Sequence, residues 1–506
     1  MSDRVGLVER SLSTPTREEF DGRVDEQATF LRAAIDSGEL DTEDFAVGLE
    51  LEVYAVDDDG RLARIPASVF EACNKELGLH NAELNTDPDP FTTAGIEAQA
   101  AALRSQWERA TAAAGDAARE LVLDSMWTVP PTDGSHPYLS AMDDREGVTV
   151  PRNMRPAPRY WAIDRDVARH AGGELSFDVP GATVEFPSIL FESLATSIQP
   201  HLQIPSTESF PAYYNAAVRT LGPVLALATN SPFLPGDLYD EGTDPRALLA
   251  DTHHELRIAA FEQSVNYTDP PKCRVPEDIE TTADVVSSVV ADPPVAPFLS
   301  EWVDDGDGEE FVDNFWEYDH KRGTYWRWLR AVIGGDPVDG AGDGRSIRIE
   351  YRPLPTQPSV RDIVGFQCLV CGLVVGLVAA DHPLAELDWA AAERSFYAAV
   401  EDGIDADLAW VTADGDRTSD SETIFAEVFE YARRGLRERG VEPATVDRYL
   451  APIEARWDAG TTPSAWKIAQ VRDALDDGAT LADALARMQA EYRRRSRDCE
   501  TFADWL

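Results

Sequence analysis

Two short segments that lie far apart in the chain alternate strictly between apolar and charged side chains. They cover residues 47–54 and 347–353. Successive side chains of a β-strand point to opposite faces, so each segment is predicted to be a strand with one apolar face and one charged face. This pattern is typical of an antiparallel sheet that packs one face on a core. It favours a fold built around such a sheet.

The charged faces of these two strands have complementary chemistry. Glu50 and Glu52 share a face of the first strand, and Arg348, Glu350 and Arg352 share a face of the second. Mg²⁺ prefers hard oxygen ligands, and arginine binds phosphate through a bidentate fork. A sheet with one solvated face gives the same alternation, so the spacing alone leaves both interpretations open. The two segments together favour a Mg-nucleotide site.

Longer motifs surround these strands and occur in a characteristic order. Gly-Leu-Glu-Leu-Glu occupies residues 48–52, and Ile-Glu-Tyr-Arg-Pro-Leu-Pro-Thr-Gln-Pro occupies residues 349–358. Shorter pieces of the same pattern lie at 82–84, 134–138, 159–160, 199–205, 225–233 and 325–328. In this order the motifs resemble the glutamate–cysteine ligase superfamily, in the branch of plant-type enzymes and bacterial carboxylate–amine ligases. The resemblance covers about residues 45–380.

The resemblance implies an α+β fold whose antiparallel sheet forms a funnel-shaped, glutamine synthetase-like site for ATP and Mg²⁺, with flanking helices and a helical C-terminal region. It also implies transfer of the γ-phosphoryl group to a carboxylate, usually the side chain of glutamate, followed by attack of an amine on the acyl phosphate. Phosphoryl transfer leaves little covalent work to the protein. Carboxylate-bound metal ions and arginines would supply positioning and charge stabilisation.

The resemblance also implies roles for individual residues. It implies metal ligands at Glu50, Glu52, Glu83 and Glu350, a catalytic residue on the transferred phosphate at Arg352, and substrate-binding residues at His201, Gln199 and Arg159.

Two positions depart from the family pattern. Pro90 stands where the family usually has an acidic residue, although Asp87 and Asp89 lie close in sequence. Gln199 stands where the family has a histidine that often binds metal, and glutamine offers Mg²⁺ only an uncharged carbonyl oxygen. His201 matches a second family position, where it is either a substrate contact or a hydrogen-bonded residue of the sheet. The metal site is therefore expected to be altered or partly empty.

The chain is extremely acidic. Its formal net charge is −47, and only four of its 45 basic residues are lysines. The acidity is spread along the chain and not confined to a tail, which favours a cytoplasmic protein of a salt-loving organism over one with an acidic interaction surface. No basic stripe is present that could neutralise phosphates, so nucleic-acid binding is disfavoured. The five cysteines show no disulfide spacing and the N-terminal sequence has no apolar signal region, which predicts a reducing cytosol.

The pattern along the chain predicts three regions. Residues 1–44 are a helical lead-in, 45–382 are a ligase-type catalytic domain with a long excursion at 234–345, and 383–506 are a helical C-terminal domain. The excursion contains an acidic run at 304–310, which is predicted to be a solvated loop. The helix predicted over 206–229 should break near Gly222-Pro223.

One segment is apolar enough to need separate consideration. Residues 363–380 contain a single polar side chain, Gln367, and their length borders on that of a membrane span. A capping-box-like start at Ser359 and Asp362, and Asp381 directly after the segment, favour a helix buried against the sheet and no membrane.

The sequence therefore predicts an ATP- and Mg-dependent ligase that joins a carboxylate, first of all the glutamate side chain, to an amine, with cysteine as the first candidate. The enzymatic alternative is a ligase for a different amine. The non-enzymatic alternative is a nucleotide- or amino-acid-binding relative that has lost turnover. Small-molecule substrates are the expected partners, and the sequence leaves the oligomeric state open.

The charge imbalance leads to a prediction about salt. With 92 acidic and 45 basic residues, repulsion between charges should destabilise the fold in dilute buffer, where the Debye length is about 30 Å at 0.01 M. We expect the melting temperature to rise steeply with KCl, as measured by differential scanning fluorimetry. A flat curve between dilute buffer and molar salt would contradict adaptation to high salt.

Overall fold

The computed structural model describes residues 4–303, 311–342 and 344–506, so the predicted acidic loop at 304–310 lies outside the described residues. The strands are β1 (Ala46–Val56), β2 (Asn74–Lys75), β3 (Asn81–Asn85), β4 (Asp89–Pro90), β5 (Glu120–Val122), β6 (Met142–Arg145), β7 (Val148–Pro151), β8 (Leu175–Val179), β9 (Ala182–Phe186), β10 (Ile198–Ile204), β11 (Leu329–Ile333), β12 (Ile347–Tyr351), β13 (Trp410–Val411) and β14 (Arg417–Thr418).

The α-helices are more numerous and cluster toward the C-terminus. They are α1 (Arg4–Ser11), α2 (Thr14–Ser37), α3 (Thr93–Gly115), α4 (Ser135–Leu139), α5 (Pro158–Ala171), α6 (Phe210–Ala228), α7 (Pro245–Asp251), α8 (Leu256–Val265), α9 (Thr282–Ala291), α10 (Trp316–Arg322), α11 (Val360–Ala379), α12 (Trp389–Asp402), α13 (Ser421–Glu438), α14 (Pro443–Asp458), α15 (Pro463–Asp476) and α16 (Leu481–Asp498).

An antiparallel sheet forms the centre of the molecule. Its strand order is β11-β12-β10-β1-β3-β2, and β4 and β5 also pair with β1. The two alternating segments of the sequence are β1 and β12, and β10 lies between them. Three hairpins, β6–β7, β8–β9 and β13–β14, form separate two-stranded sheets. The predicted combination of helices with an antiparallel sheet is confirmed.

The two faces of β1 have opposite environments, as the alternation predicts. Leu49, Leu51 and Val53 are buried and belong to the main hydrophobic cluster of the protein. Glu50 and Glu52 lie on the other face and are only partly buried. Burial of the apolar face stabilises the sheet by about 1.5–3 kcal/mol for each large side chain. This face orients the strand so that its carboxylates point away from the core.

Helix α11 packs against the apolar side of the sheet. Gln367, the polar residue of its apolar stretch, donates a hydrogen bond from Nε2 to the backbone oxygen of Gly48 in β1 at 2.9 Å. Among the described residues, α11 is the one helix that is long and apolar enough to cross a membrane, but most of its side chains are buried inside the protein. Cys368 and Cys371 are buried free thiols on this helix. The structure thus confirms the predicted core helix.

Glycines bring α11 and α13 into close contact. A Cβ atom on Gly376 would lie 1.9 Å from the backbone oxygen of Tyr431, and one on Gly435 would lie 1.9 Å from that of Gly372. No side chain fits at these distances, so the two helix backbones touch directly. The contact joins the helical region after residue 383 to the helix that supports the sheet.

The predicted break near Gly222-Pro223 is wrong. Helix α6 continues through Pro223 to Ala228. A Cβ atom on Gly222 would lie 2.8 Å from the backbone of Ser395 in α12, so the glycine allows two helices to pack closely. Contacts with neighbouring elements on every side stabilise α6 where Gly222 and Pro223 would otherwise interrupt the helix.

The segments before β1 and after residue 383 are mainly helical, and the second also contains the β13–β14 hairpin. Helices α1 and α2 lie in the predicted lead-in, and α12 to α16 lie in the predicted C-terminal region. Side chains of α2 and α13, among them Leu31 and Phe425, belong to the same hydrophobic cluster as the sheet. The division of the chain into three regions stays a prediction.

The contact between α11 and α13 can be tested with a pair of glycine substitutions. Gly376→Ala should lower the free energy of unfolding by about 1–3 kcal/mol or more, because the new methyl group overlaps the backbone of α13. Gly22→Ala in α2 is the control, since a Cβ atom there meets nothing within 4 Å. It should raise the free energy of unfolding by about 0.5–1 kcal/mol through helix propensity. Denaturant unfolding at constant salt measures both, and equal effects would contradict the proposed packing.

Candidate functional site

Strand pairing brings the charged residues of the sheet onto one face. Glu50 in β1 lies opposite Gln199 in β10, and Glu52 lies opposite Glu83 in β3. On the other side of β10, His201 pairs with Glu350 in β12. Directly paired residues of an antiparallel sheet project to the same side. Residues far apart in sequence therefore meet above the centre of the sheet.

Glu50, His201 and Glu350 form a compact group. One ligand atom of each residue lies within 4.8 Å of those of the other two. Nε2 of His201 is 3.2 Å from Oε1 of Glu50, but this buried nitrogen has no aligned hydrogen-bond partner. Carboxylate oxygens suit Mg²⁺, whereas an imidazole nitrogen is more typical of a transition metal. The group therefore fits a divalent cation.

Glu350 is held between two arginines. Its carboxylate accepts a hydrogen bond from Arg352 Nη1 at one oxygen and from Arg330 Nε at the other. Burial raises the pKa of Glu350, but the two guanidinium groups outweigh burial and hold the pKa well below its usual range. The side chain is 1% exposed. Glu350 is therefore ionised and rigid.

Gln199 links a carboxylate to an arginine. Its Oε1 accepts a hydrogen bond from Arg352 Nη1 at 2.6 Å, and its Nε2 donates to Glu52 Oε1 at 3.2 Å. Glu52 Oε2 accepts another hydrogen bond, from the backbone N–H of Ser197 at 2.8 Å. The amide suits this position because it has both a donor and an acceptor.

The charged face opens into a cavity of about 820 Å³. Among the side chains that line it are Glu50, Glu52, Glu83, Gln199, Arg159, Arg330 and Arg352. The cavity thus collects most of the residues that the sequence motifs indicate. His201 and Glu350 lie beneath its floor as neighbours of Glu50. Arg159, which the resemblance assigns to substrate, donates a hydrogen bond from Nη2 to the backbone oxygen of His320 at 3.3 Å.

Four carboxylates of the cavity have raised pKa values. Burial raises the pKa of Glu52, which lies beside the others. Burial, with the charges of neighbouring glutamates, raises the pKa of Glu83 to about 9, that of Glu76 to about 8 and that of Glu192 to about 8. A raised pKa means that the negative charge is poorly compensated. Divalent cations would supply the missing positive charge.

The remaining part of the cavity wall is aromatic. Its aromatic side chains include Phe261, Phe298, Trp302, Trp316 and Trp326, with aliphatic residues between them. Trp316 stacks on His320 with ring centroids 5.0 Å apart, and Phe298 lies 5.5 Å from the same histidine ring. Burial lowers the pKa of His320 to about 3, so its ring is neutral. The cavity therefore combines an acidic end, suited to metal ions, with an apolar wall suited to a flat or bulky group.

The sequence left open whether Asp87 or Asp89 replaces the acidic residue missing at Pro90. Within the described residues, neither of them lines the cavity. Asp89 Oδ2 and the backbone oxygen of Asp87 each accept a hydrogen bond from Gln99 Nε2 at 2.6 Å. Pro90 pairs with Ala46 at the other end of β1. The additional carboxylates of the cavity come instead from Glu76, Glu192 and Asp319, the last of which pairs with Arg322.

Several residues of the cavity carry no role in the sequence interpretation. Arg330 follows the aromatic motif at 325–328 and is the second residue of β11, opposite Glu350, so its strand position was a usable signal. Glu76 precedes β3 in a loop, and Glu192 lies in the short 3₁₀ helix Ile189–Leu194. Neither has a local pattern that could have identified it.

Comparison with known proteins gives one family and a small set of solved structures. The pattern of glutamate-cysteine ligase family 2 (GCS2) matches residues 46–498. A search of curated proteins by sequence finds no match. The fold is similar to that of a glutamate–cysteine ligase from Francisella tularensis in complex with AMP, with a TM-score of 0.50, 13% identity, and coverage of 91% of this chain and 90% of that one.

Two further solved structures have lower similarity to this fold. A bifunctional glutathione synthetase from Pasteurella multocida has a TM-score of 0.49 and 13% identity, covering 93% of this chain and 55% of that one. The complex between the prokaryotic ubiquitin-like protein Pup and its ligase PafA has a TM-score of 0.36 and 12% identity, covering 90% and 72%.

The family match extends over most of the chain, from the start of β1 to the end of α16. It includes every strand that contributes to the cavity. The protein belongs to glutamate–cysteine ligase family 2, and it is an ATP-dependent carboxylate–amine ligase, the class of enzyme that its sequence motifs predict.

Proposed function

We propose that the protein uses Mg-ATP to activate the side-chain carboxylate of glutamate as an acyl phosphate and joins it to an amine, with cysteine as the first candidate. One observation carries the proposal. Glu50, which lines the cavity, groups with His201 and Glu350 so that their ligand atoms lie within 4.8 Å of one another, beside the arginine pair Arg330 and Arg352. Cation ligands next to fixed guanidinium groups are the arrangement that phosphoryl transfer requires.

In this proposal the acidic end of the cavity holds Mg²⁺ and the triphosphate of ATP. Glu50, Glu52, Glu83 and Glu350 would be metal ligands. His201, whose Nδ1 accepts a hydrogen bond from Arg348 Nε at 3.3 Å, would lie beside Glu50 with its Nε2. When bound, Mg²⁺ would neutralise charge on the phosphate oxygens. The cavity would serve as the funnel-shaped nucleotide site that the family resemblance implies.

Arg352 has the central catalytic role in this mechanism. Its contacts with Glu350 and Gln199 both involve Nη1 and fix the orientation of the guanidinium plane. A guanidinium held in advance can stabilise charge that develops on the transferred phosphoryl group without reorganisation. Glu350 raises the pKa of Arg352 against the effect of its burial, so the positive charge is retained.

The aromatic wall favours a second candidate, a ligase for an amine other than cysteine. Trp302, Trp316 and Trp326 offer more apolar surface than the small side chain of cysteine would cover. An amine with a larger apolar or aromatic body would bury this surface. A panel of amines therefore belongs in every activity test.

Gln199 favours the third candidate, a binding protein without turnover. Where the family often has a metal-binding histidine, Gln199 is already hydrogen-bonded to Glu52 and Arg352. A protein that binds Mg-ATP but releases no ADP with any carboxylate and amine would support this candidate and contradict the ligase.

ADP release tests the proposed reaction. The protein, in multimolar KCl, is incubated with Mg-ATP, glutamate and each amine of a panel, and ADP is measured by a coupled assay. We expect release that depends on both glutamate and amine. Arg352→Ala should reduce the turnover rate by about 10³-fold or more, because charge on the transferred phosphoryl group loses its fixed partner.

Arg246→Ala is the control for this substitution, because Arg246 is an exposed surface arginine with a 68% exposed side chain. It should leave turnover unchanged. Arg352→Lys keeps the positive charge but loses the forked donor geometry of the guanidinium group. It should therefore retain only part of the activity that Arg352→Ala loses. If Arg352→Ala retained full turnover with an unchanged melting temperature, the proposed role of this arginine would be wrong.

Metal binding provides a separate prediction. Glu350→Gln should weaken the binding of Mg²⁺ and of Mg-ATP, because the ligand group loses one charged oxygen donor. Isothermal titration calorimetry with Mg²⁺ alone, and with a non-hydrolysable ATP analogue in its presence, measures both steps. Glu427→Gln serves as the control, since this glutamate pairs with His382 in the helical region. Equal metal affinity of Glu350→Gln and the wild type would exclude Glu350 as a ligand.

A further inference from the structure

Two C-terminal helices send polar side chains into the interior beneath β1. Lys467 in α15 is 1% exposed and Gln489 in α16 is 2% exposed. Nζ of Lys467 donates hydrogen bonds to Asp124 Oδ1 at 2.5 Å and to the backbone oxygen of Asn230 at 2.6 Å. Asp124 is fully buried. A buried ion pair gains little net stability over apolar side chains of similar volume, so its presence points to positioning.

Gln489 connects this ion pair to β1. Its Nε2 donates hydrogen bonds to Asp124 Oδ2 at 2.8 Å and to the hydroxyl oxygen of Tyr54 at 3.0 Å. Its Oε1 accepts a hydrogen bond from Thr128 at 2.8 Å. Tyr54 is on β1, two residues after Glu52 and on the same face. The end of the strand that carries two glutamates of the cavity is therefore anchored to α16.

A second route leads from the same ion pair to the backbone of Glu52. Asn230, whose oxygen Lys467 binds, donates from Nδ2 to the backbone oxygen of Thr356 at 2.7 Å. The hydroxyl of Thr356 in turn donates to the backbone oxygen of Glu52 at 2.8 Å. These contacts join α15, the segment after β12 and β1 in one continuous chain of hydrogen bonds.

A third route reaches the carboxylate itself. The backbone oxygen of Ser125, next to Asp124, accepts a hydrogen bond from the N–H of Thr196 at 2.8 Å. Thr196 precedes Ser197, whose N–H donates to Glu52 Oε2. Lys467 and Gln489 bind Asp124, and the adjacent Ser125 holds the loop that orients the Glu52 carboxylate. All three routes converge on Glu52.

We propose that Lys467 and Gln489 are positioning residues, through which the C-terminal helices hold Glu52 in place for metal binding. The proposal rests on the proposed function, in which Glu52 is a metal ligand. Neither residue lines the cavity, so they act through Asp124, Tyr54 and Asn230. The helices after residue 463 are then a part of the metal site, although they contribute no ligand to it.

The test uses Gln489→Met as its main variant, because methionine is neutral and similar in length and leaves the Lys467–Asp124 pair intact. Lys467→Met is the second variant. Leu485→Ala is the matched control, since Leu485 lies on α16 as well, is 1% exposed, and packs in a separate hydrophobic cluster with Val471 and Met488. The control destabilises the same helix without touching the route to Glu52.

Two readouts are measured on the full-length protein in molar KCl. Binding of Mn²⁺ as a probe, followed by electron paramagnetic resonance, should weaken about tenfold or more in Gln489→Met, in line with other substitutions behind metal ligands. Amide hydrogen exchange of residues 46–56 should be faster in this variant, because the strand loses its anchor. Leu485→Ala should change neither the Mn²⁺ affinity nor the exchange rate, even if its melting temperature falls as far as that of Gln489→Met.

The outcomes separate this inference from the proposed function. If the wild type binds Mn²⁺ and Gln489→Met and Lys467→Met bind it equally well, the inference is overturned and the ligase proposal stands. If Leu485→Ala weakens binding as much as Gln489→Met, the effect is general destabilisation and the inference also fails. If the wild type binds no Mn²⁺, the metal site itself is wrong, and the positioning of a ligand falls with it.

Discussion

The arrangement of the whole site depends on the antiparallel register of β10 between β1 and β12. This register places His201 opposite Glu350 and next to Glu50, so that ligand atoms from three strands come within 4.8 Å. A shift of one residue in either pairing would turn the whole charged face toward the core. The apolar residues of β1 prevent such a shift, because burying Leu49, Leu51 and Val53 requires this one alternation. The hydrophobic core thereby determines where the carboxylates lie.

Electrostatics then divides the glutamates of the cavity into two groups. Glu350 lies between Arg330 and Arg352, and their charges hold its pKa well below its usual range despite burial. Glu76 and Glu83 have mainly other carboxylates as charged neighbours, and burial with these charges raises their pKa values. Burial also raises the pKa of Glu192, although Arg257 and Arg352 act against it. The charge of Glu350 is already balanced by its two arginines, whereas the second group lacks enough neighbouring positive charge. Divalent cations bound as in the proposed function would compensate that deficit.

Helices support the charged strands both from the apolar side of the sheet and at the end of β1 where Tyr54 lies. Helix α11 lies under the sheet and contacts α13 through glycines that allow the two backbones to touch. Helices α15 and α16 reach further and place Lys467 and Gln489 next to Asp124 and Tyr54. Precise placement of metal ligands requires support from groups that do not themselves bind the metal. Such support would be a physical reason for the long helical region that follows the last strand of the sheet.

Features that depend on local periodicity and on motifs could be predicted from the sequence alone. The alternation of residues 47–54 and 347–353 indicated both strands and their charged faces, and the spacing of the motifs indicated the family. Only the tertiary structure decided that His201 lies between Glu50 and Glu350, that Glu76 and Glu192 supply carboxylates where Pro90 supplies none, and that α6 continues through Pro223. The physical reason is that strand pairing and helix packing bring together residues from distant segments. No local pattern in Glu76, Glu192 or Lys467 records those contacts.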